Sequence, residues 1–269
     1  MMDRFEGQVC AVTGGAQGIG FAIARRCVQQ GAQVAIIDQD EAVAAESVAE
    51  LHHGAGAEVR AYRADVSNKS DVAAVFDAIA GDFGRLDVLV NNAGLALIGP
   101  SENVPERNWK IQVDVMLTGV FLCCQHAFPL MRHRGNGVIV SISSVGGLGG
   151  WPGRAGYNAA KAGVIILTEV LACEWGRYGI RVNAVAPGVV RTPLLERAVA
   201  EGVATEDAYV RRTPIGRLAD PDEIARVVTF LAGPRASYIT GATLRVDGGW
   251  AAWANPRQHP FEWVPGSSG

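Results

Sequence analysis

The sequence predicts an α/β protein with a single-domain, doubly wound, mostly seven-stranded parallel sheet and helices on both faces. Short β-branched apolar runs alternate with longer segments of helical period, which is typical of consecutive βαβ units. Right-handed crossovers leave a doubly wound sheet as the natural topology. The 269 residues contain no repeat, low-complexity linker or change of composition that would mark a second domain.

Seven apolar runs are the predicted strands. They are Val9–Thr13, Val34–Asp38, Val59–Ala64, Leu86–Asn91, Val138–Ile142, Val182–Ala186 and Thr243–Val246. Segments of helical period lie between them, near residues 18–30, 40–53, 70–83, 105–133, 155–177 and 221–232. The last helix follows Asp220 and Pro221, a capping carboxylate and a first-turn proline that favour a helix start.

Two segments depart from this alternation. Residues 188–220 form a long insertion, within which we expect residues 189–215 to be a substrate lid. The dinucleotide-binding and catalytic domain is predicted to comprise residues 1–249. Residues 250–269 hold three of the six tryptophans, so we expect this aromatic tail to dock on its own domain or on a neighbouring subunit.

Composition and charge exclude several classes of protein. Hydrophobic residues make up 49% of the chain and charged residues 19%, which excludes disorder for most of it. The net charge of −3 gives no attraction to nucleic acid and no polybasic membrane anchor. The longest apolar stretches, such as Val113–Cys124, fall short of the ~20 residues of a membrane span. The polar start Met1–Gly7 lacks a secretory signal, so we expect a cytoplasmic protein.

The five cysteines are an odd number without the spacing of metal ligands. Cys123 and His126 share a helix face, but no further ligand set converges on them, so we predict core packing and no metal site. Reduced, buried thiols are expected at all five positions, Cys10, Cys27, Cys123, Cys124 and Cys173.

A glycine-rich loop joins the first strand to the first helix. Gly14 allows the tight turn, Gly18 lets the backbone approach a diphosphate, and Gly20 permits close packing of helix on strand. The N–H groups and dipole of the helix would then face the phosphates. Because this loop follows a strand and opens a helix, it predicts a Rossmann-like dinucleotide site.

Asp38 ends the second strand, 18 residues after Gly20. A carboxylate there accepts both ribose hydroxyls of an adenosine and repels a 2′-phosphate. Two like charges ~4 Å apart at a dielectric near 20 interact by roughly 4 kcal/mol. No arginine or lysine lies in the glycine loop to offset this, so NAD(H) is favoured over NADP(H). The alternative role of Asp38 is to cap the next helix, which Asp40 could do instead.

Further motifs follow in a recognisable order. They are Asp65-Val66, Asn91-Asn92-Ala93-Gly94, Ser144 placed 13 residues before Tyr157, Tyr157-x-x-x-Lys161, and the segment Pro187–Thr192. Together with the glycine loop they resemble the short-chain dehydrogenase/reductase family, classical type, over Gly7 to Gly249. The resemblance implies cofactor contacts at Gly14, Gln17, Gly18, Ile19, Gly20, Asp38, Asp65, Val66, Asn92, Ala93, Gly94, Tyr157, Lys161, Pro187, Gly188, Val190 and Thr192.

The catalytic chemistry also follows from the residues. Tyr157 and Lys161 are four positions apart and share one helix face. An ammonium ~5 Å from a phenol at a dielectric near 20 is worth roughly 3 kcal/mol, which would lower the phenol pKa from near 10 by about 2. Ser144 can hydrogen-bond the reacting oxygen. The resemblance adds that Lys161 binds the nicotinamide ribose.

One position departs from the family pattern. The family places Asn three residues before Gly119, where it is thought to hold a water by disturbing the helix, and this chain has Met116 there. A thioether is only a weak acceptor. The chain is therefore either a working enzyme with another proton route or a dinucleotide-sensing regulatory relative with little or no turnover. The retained Ser144, Tyr157 and Lys161 favour the enzyme.

We expect an NAD-dependent oxidoreductase that interconverts a secondary alcohol and a ketone. A sugar or polyol is the leading expectation for the substrate, while a small apolar ketone or a steroid-like alcohol remains open. Four arginines are candidates to bind an anionic or polyhydroxylated substrate, or are solvated surface residues: Arg154, Arg191, Arg211 and Arg212. By resemblance the two longest helices form the interfaces of a homotetramer.

Overall fold

The computed structural model describes residues 5–55, 57–202 and 205–253. Its seven strands are β1 (Val9–Thr13), β2 (Gln33–Asp38), β3 (Val59–Arg63), β4 (Val88–Asn91), β5 (Gly137–Ile142), β6 (Ile180–Pro187) and β7 (Thr243–Val246). They form one sheet in the order β3-β2-β1-β4-β5-β6-β7, and every neighbouring pair is parallel. The predicted doubly wound α/β fold is therefore confirmed.

The helices connect successive strands and cover both faces of the sheet. They are α1 (Gly18–Gln29), α2 (Glu41–Ala55), α3 (Lys69–Phe83), α4 (Glu106–Val113), α5 (Gly119–Arg134), α6 (Val145–Leu148), α7 (Ala155–Trp175), α8 (Pro193–Ala200), α9 (Glu206–Arg212) and α10 (Pro221–Ala232). The chain runs outward from β1 to β3 on one side and from β4 to β7 on the other, so the strand order reverses between β1 and β4. Such a switch point opens a crevice at the carboxyl ends of the strands.

The alternating side chains of β1 show how the sheet divides the core. Cys10 and Val12 point into the apolar cluster that contains residues of α1 and α10, whereas Val9 and Ala11 join the cluster containing residues of α3 and α5. All five residues of β1 are buried, as expected for a central parallel strand with both faces covered. The rigid centre of the sheet thus holds the loops at its carboxyl end.

The segment predicted as one helix over residues 105–133 is interrupted. A π-helical turn at Asp114–Thr118 separates α4 from α5. By length and mean hydropathy alone the segment Glu106–Arg134 would suffice to cross a membrane. In this fold, however, Cys123 and Ala127 of α5 are buried in the apolar core on one face of the sheet.

Three other details of the sequence prediction need correction. The insertion after β6 contains two helices that were not predicted, α8 and α9, and the short helix α6 was also missed. Four cysteines are buried as expected, but Cys173 on α7 is exposed. Within the described part of the chain, no group of three or more His, Cys, Asp or Glu residues has an arrangement that could hold a metal ion.

Candidate active site

A cavity of about 700 Å³ opens at the carboxyl end of the sheet, beside the switch point between β1 and β4. All of the predicted cofactor and catalytic residues except Gly20 line it. They are Gly14, Gln17, Gly18, Ile19, Asp38, Asp65, Val66, Asn92, Ala93, Gly94, Ser144, Tyr157, Lys161, Pro187, Gly188, Val190 and Thr192. The fold therefore brings together residues spread over 179 positions, from Gly14 to Thr192.

The glycine loop has a backbone that side chains would obstruct. Gly14 and Gly18 have φ of +59° and +57°, in the left-handed region that favours glycine. A Cβ on Gly20 would lie 2.0 Å from the carbonyl oxygen of Gly14, so Gly20 lets α1 pack on the loop itself. Among the described residues, no side chain caps the first turn of α1, which leaves its N–H groups available to an anion. This cradle fits the diphosphate of a dinucleotide.

The Thr13 hydroxyl fixes the loop after β4 against the glycine loop. Its Oγ1 accepts hydrogen bonds from the backbone N–H of Asn92 at 3.0 Å and of Ala93 at 3.1 Å. The side-chain amide of Asn92 donates in return to the carbonyls of Thr13 and Gly14. Thr13 was not among the predicted contacts, and its place directly before Gly14 is the sequence signal for this role.

Asp38 lies beside the glycine loop at the end of β2. Its carboxylate accepts hydrogen bonds from the backbone N–H of Ala16 and of Asp40, both at 3.2 Å. Asp40, not Asp38, caps α2 by accepting from Val43 N–H. Arg63 on β3 is the residue opposite Asp38 in the strand register, but its side chain does not line the cavity. The carboxylate thus faces the cavity as the only ionisable side chain at the end of β2 within the described residues.

Ser144, Tyr157 and Lys161 converge on the inner wall of the cavity. Ser144 caps α6 and accepts a hydrogen bond from Gly146 N–H at 3.0 Å. Lys161 is buried, and its Nζ donates to the carbonyl of Ile142 at 2.7 Å. The same Nζ lies 5.9 Å from the centroid of the Tyr157 ring. Their one-turn spacing on α7 therefore places the cation beside the phenol, as the sequence predicted.

The electrostatic balance differs from the sequence expectation. Burial raises the pKa of the Tyr157 phenol, and the Ser144 hydroxyl and the Arg154 cation act in the opposite direction. Burial also lowers the pKa of Lys161 to about 8. In the protein alone, Lys161 is not among the groups that lower the pKa of the phenol. This corrects the expectation that the Lys161 cation lowers it. Desolvation disfavours the charged form of both groups, and for Tyr157 it is the largest influence on the pKa.

Met116 lies in the π-helical turn and is fully buried. A Cβ on Gly94 would be 3.5 Å from its Cγ and Sδ, so the thioether packs under the loop after β4 and lines the cavity. The helix is therefore disturbed at this position although the asparagine is absent. Helix geometry at this turn does not depend on that side chain.

An aromatic cluster of Trp151, Tyr209 and Trp250 forms the outer edge of the cavity, which Trp151 and Tyr209 line. The Trp151 ring lies 5.1 Å from that of Trp250 and 5.7 Å from that of Tyr209. The start of the aromatic tail therefore packs on its own domain. The rest of the tail, residues 254–269, lies outside the described residues.

The four candidate arginines have different positions. Only Arg154 lines the cavity. The other three have partners elsewhere, Arg191 with Glu206, Arg211 with Asp207, and Arg212 with the Trp250 carbonyl. The sequence does not distinguish these four arginines, and only the position of the cavity in the folded chain shows that Arg154 can reach a substrate.

Comparison with known proteins identifies the family. The sequence model described as "Enoyl-(Acyl carrier protein) reductase" matches residues 14–251. The cis-4-hydroxycyclohexanecarboxylate dehydrogenase of Sinomonas cyclohexanicum is 44% identical over 94% of this chain and 100% of its own length. The chain belongs to the classical short-chain dehydrogenase/reductase family. This confirms the resemblance seen in the sequence motifs and makes the protein an oxidoreductase of a family that uses nicotinamide cofactors.

Two further members of the family are similar over nearly their whole length. The D-threitol dehydrogenase of Mycolicibacterium smegmatis is 40% identical, covering 92% of this chain and 94% of the relative. The crystal structure of levodione reductase superposes with a TM-score of 0.89 at 37% identity, covering 93% of this chain and 99% of that one. The levodione reductase structure agrees with the seven-stranded architecture. The names of both relatives agree with a small-molecule substrate for this short-chain dehydrogenase/reductase.

Proposed function

We propose that this short-chain dehydrogenase/reductase is an NAD(H)-dependent enzyme that interconverts a secondary alcohol and a ketone. The convergence of Ser144, Tyr157 and Lys161 on one wall of the cavity carries the proposal. The glycine loop lies at the same cavity, so a dinucleotide held there reaches the catalytic wall.

In the direction of oxidation, Tyr157 is the general base that takes the proton of the substrate hydroxyl. It does so in its deprotonated form, which the Ser144 hydroxyl and the Arg154 cation favour against burial. The Ser144 hydroxyl donates a hydrogen bond to the same substrate oxygen and stabilises charge that develops on it. A bound nicotinamide would accept the hydride that leaves the carbinol carbon. Lys161 would bind the ribose of a bound nicotinamide, and its Nζ supplies a cation 5.9 Å from the centroid of the Tyr157 ring. Reduction of the ketone returns the proton from Tyr157 to the oxygen.

Replacement of the phenol tests the reaction. In Tyr157→Phe we expect kcat to fall by about 10²–10⁴-fold, the usual contribution of a general acid or base, with little change in cofactor affinity. The measurement is NADH absorbance at 340 nm with a panel of secondary alcohols and ketones. Tyr178→Phe is the matched control, because Tyr178 packs against Phe128 and does not line the cavity. Equal activity of both variants would contradict the role of Tyr157.

The same panel distinguishes the regulatory alternative. If the wild-type protein binds NADH tightly but turns over none of these alcohols or ketones, the enzyme proposal is abandoned in favour of dinucleotide sensing. The burial of Met116 at the position of the family asparagine is the feature that keeps this second function in view.

Asp38 supports the preference for NAD(H). A 2′-phosphate ~4 Å from its carboxylate would be repelled by roughly 4 kcal/mol at a dielectric near 20. In Asp38→Ala we expect the ratio of the NADPH and NADH dissociation constants to fall at least tenfold, measured by fluorescence titration. Asp40→Ala is the control, because Asp40 caps α2 and does not line the cavity. Tighter binding of NADPH than NADH by the wild type would overturn the assignment.

The cavity wall supports a substrate with an apolar body. The lining of the cavity includes the apolar side chains of Leu95, Leu97, Ile98 and Trp151. The relative from Sinomonas cyclohexanicum is named for a hydroxylated cyclohexane, whose ring matches such a wall. We therefore propose a cyclic secondary alcohol. The polyol expected from the sequence is the second candidate, and similarity to the D-threitol dehydrogenase favours it. A comparison of kcat/KM for cyclohexanols with kcat/KM for tetritols separates the two candidates.

The expected cytoplasmic location and homotetrameric assembly stay predictions. Expression with a fluorescent tag tests the first, and sedimentation of the purified protein tests the second.

A further inference from the structure

Arg154 is a cation that lines the cavity and acts electrostatically on Tyr157. It is half-buried and lies at the start of α7, three residues before Tyr157. No acidic side chain of the described residues pairs with it, in contrast to Arg191 and Arg217, which hold Glu206 and Glu223. A partly desolvated cation without an internal counter-ion is suited to an anion that enters with the substrate.

The surroundings of Arg154 fix its orientation. The guanidinium carbon lies 4.2 Å from the centroid of the Trp151 ring, which favours a cation–π contact. One Nη2 hydrogen bond goes to the Tyr209 hydroxyl at 3.1 Å. A guanidinium has five N–H donors in a fixed planar fork, so this arrangement leaves donors for a second ligand. Bidentate binding of a carboxylate is the interaction that such a fork matches.

The position of Arg154 relates it to the reacting atoms. It lies one helical turn from Tyr157, and its charge lowers the pKa of the Tyr157 phenol. The cavity that both residues line also has apolar side chains in its wall, among them Leu97 and Ile98. A molecule that reaches from Tyr157 to Arg154 would therefore present a hydroxyl at one end, an apolar middle and an anion at the other end.

We propose that Arg154 determines substrate specificity by binding a carboxylate carried on the apolar body of the alcohol. This inference rests on the proposed function of the site, and it names the substrate class as hydroxy acids in which the two groups are separated by a ring or a short apolar chain. Trp151 and Tyr209 position the guanidinium. Neutral alcohols of the same shape lack the anion and bind less well.

Arg197 of α8 is the rival cation, since it also lines the cavity. It is exposed on the lid, and its Nε donates to the carbonyl of Pro193 in its own helix. The Trp151 ring and the Tyr209 hydroxyl contact the guanidinium of Arg154. Among the described contacts, no aromatic ring or hydroxyl does the same for Arg197. Arg154 is therefore the better site for a fixed anion.

The kinetic test compares two substrates that differ in charge. With NAD⁺, kcat/KM is measured for 4-hydroxycyclohexanecarboxylate and for its neutral carboxamide, as cis and trans isomers. We expect the wild type to prefer the carboxylate at least 30-fold and Arg154→Met to lose at least tenfold of that preference. Any rise in the Tyr157 pKa affects both substrates, so it cancels in the ratio. Arg154→Lys should retain part of the preference.

Control variants test the assignment to Arg154. Arg191→Met, whose side chain pairs with Glu206 outside the cavity, should keep the preference of the wild type. Loss of the preference in Arg197→Met, with none in Arg154→Met, would overturn the proposal and assign the anion to the lid. Equal preference in the wild type and Arg154→Met would also overturn it.

A binding measurement separates this inference from the proposed function. Cyclohexanecarboxylate and cyclohexanecarboxamide are titrated calorimetrically into the protein saturated with NADH. We expect the carboxylate to bind at least tenfold more tightly and Arg154→Met to abolish the difference. This outcome supports the inference even if no alcohol is turned over, in which case only the proposed function fails. Turnover of neutral cyclohexanols with no preference for the carboxylate in either assay supports the function and overturns the inference.

Discussion

Lys161 carries its charge where burial disfavours it. The side chain is 4% exposed, its Nζ has one hydrogen-bond acceptor in the described structure, the Ile142 carbonyl, and its pKa falls to about 8. A buried cation of this kind costs stability and is retained at sites where its chemistry is used. The cost is measurable because it depends on pH.

The pH dependence of stability follows from this lowered pKa. At pH 7 Lys161 is charged in both states, so the folded protein bears the full cost of about 3 kcal/mol. Between pH 8 and pH 10.5 only the unfolded chain keeps the proton, so the cost disappears as pH rises. We expect Lys161→Met to stabilise the protein at pH 7 by about 1–3 kcal/mol and to lose this advantage by pH 10.

Urea unfolding at the two pH values measures the change. The exposed Lys110 provides the control, and Lys110→Met should alter the free energy of unfolding little at either pH. A stabilisation by Lys161→Met that is the same at pH 7 and pH 10 would contradict the buried charge. Activity of Lys161→Met should be lost in either case, since Lys161 is part of the catalytic wall.

Met116 allows a test of the missing asparagine. Because the π-helical turn is already present, Met116→Asn should restore the family side chain without reshaping the helix. We expect kcat to be unchanged or higher, with a stability cost of about 1–3 kcal/mol for burying the amide. Steady-state kinetics and thermal melting provide the two readouts. A large loss of kcat at unchanged folding would instead indicate that the thioether has its own role in the cavity.

Single residues differ in how well the sequence predicts them. Tyr157, Lys161 and Ser144 were predictable because their spacing is a property of one helix and one motif. Arg154 was one of four equivalent candidates, since only the folded chain shows which arginines find acidic partners. Cys173 was expected to be buried, but it lies on the solvent face of α7, where apolar neighbours in sequence do not imply burial.

At the scale of elements, strand positions were predicted better than helix interruptions. Buried parallel strands are runs of apolar β-branched residues, and β1 and β7 begin and end where the sequence indicated. The π-helical turn was missed because such turns are rare and occur as single turns inside longer apolar helices, which the helical period describes as one element. The lid helices α8 and α9 are short and have no fully buried residues, so they give little periodic signal.

The start of α8 offers a prediction for the lid. Thr192 caps this helix by accepting from Leu195 N–H, and its methyl group lies 3.5 Å from where a Cβ of Gly18 would be. Thr192→Val keeps the methyl and removes the cap, which costs about 1 kcal/mol of helix stability. We expect the KM for the cofactor to rise about fivefold with less than 2 °C change in Tm, since α8 lies outside the core.

Thr205 is the matched control for this variant. It occupies the same cap position at α9, but its side chain makes no capping hydrogen bond. Thr205→Val should therefore leave both the KM and the Tm unchanged. A Thr192→Val variant with the kinetics of Thr205→Val would show that the cap does not hold the lid against the glycine loop.

At the scale of the molecule, strand order explains why distant motifs meet. The reversal between β1 and β4 places the glycine loop, the Asn92 loop and the Ser144 turn at one edge, so the sequence motifs and the topology together predict the site. The outer wall was not predictable in the same way. Trp151, Tyr209 and Trp250 come from three segments whose approach depends on the fold of the insertion.

The exposed surface of the long helices supports the proposed assembly. Large apolar side chains are exposed on α4, α5 and α7, among them Trp109, Phe121, Ile166 and Val170. Exposed apolar side chains on long helices are expected at an interface between proteins. Ile166 and Val170 are one turn apart on α7, so two charges there would face any partner subunit together.

We therefore expect Ile166→Glu combined with Val170→Glu to dissociate the assembly. Two carboxylates buried at a two-fold interface would each face an apolar surface and, across the axis, their own copies. Sedimentation velocity should show the wild type with the mass of four chains and the double variant with the mass of two or one. Val199→Glu, an exposed position on the lid, is the control and should stay tetrameric. A wild type that sediments as a single chain would exclude the tetramer and leave the apolar face to another partner.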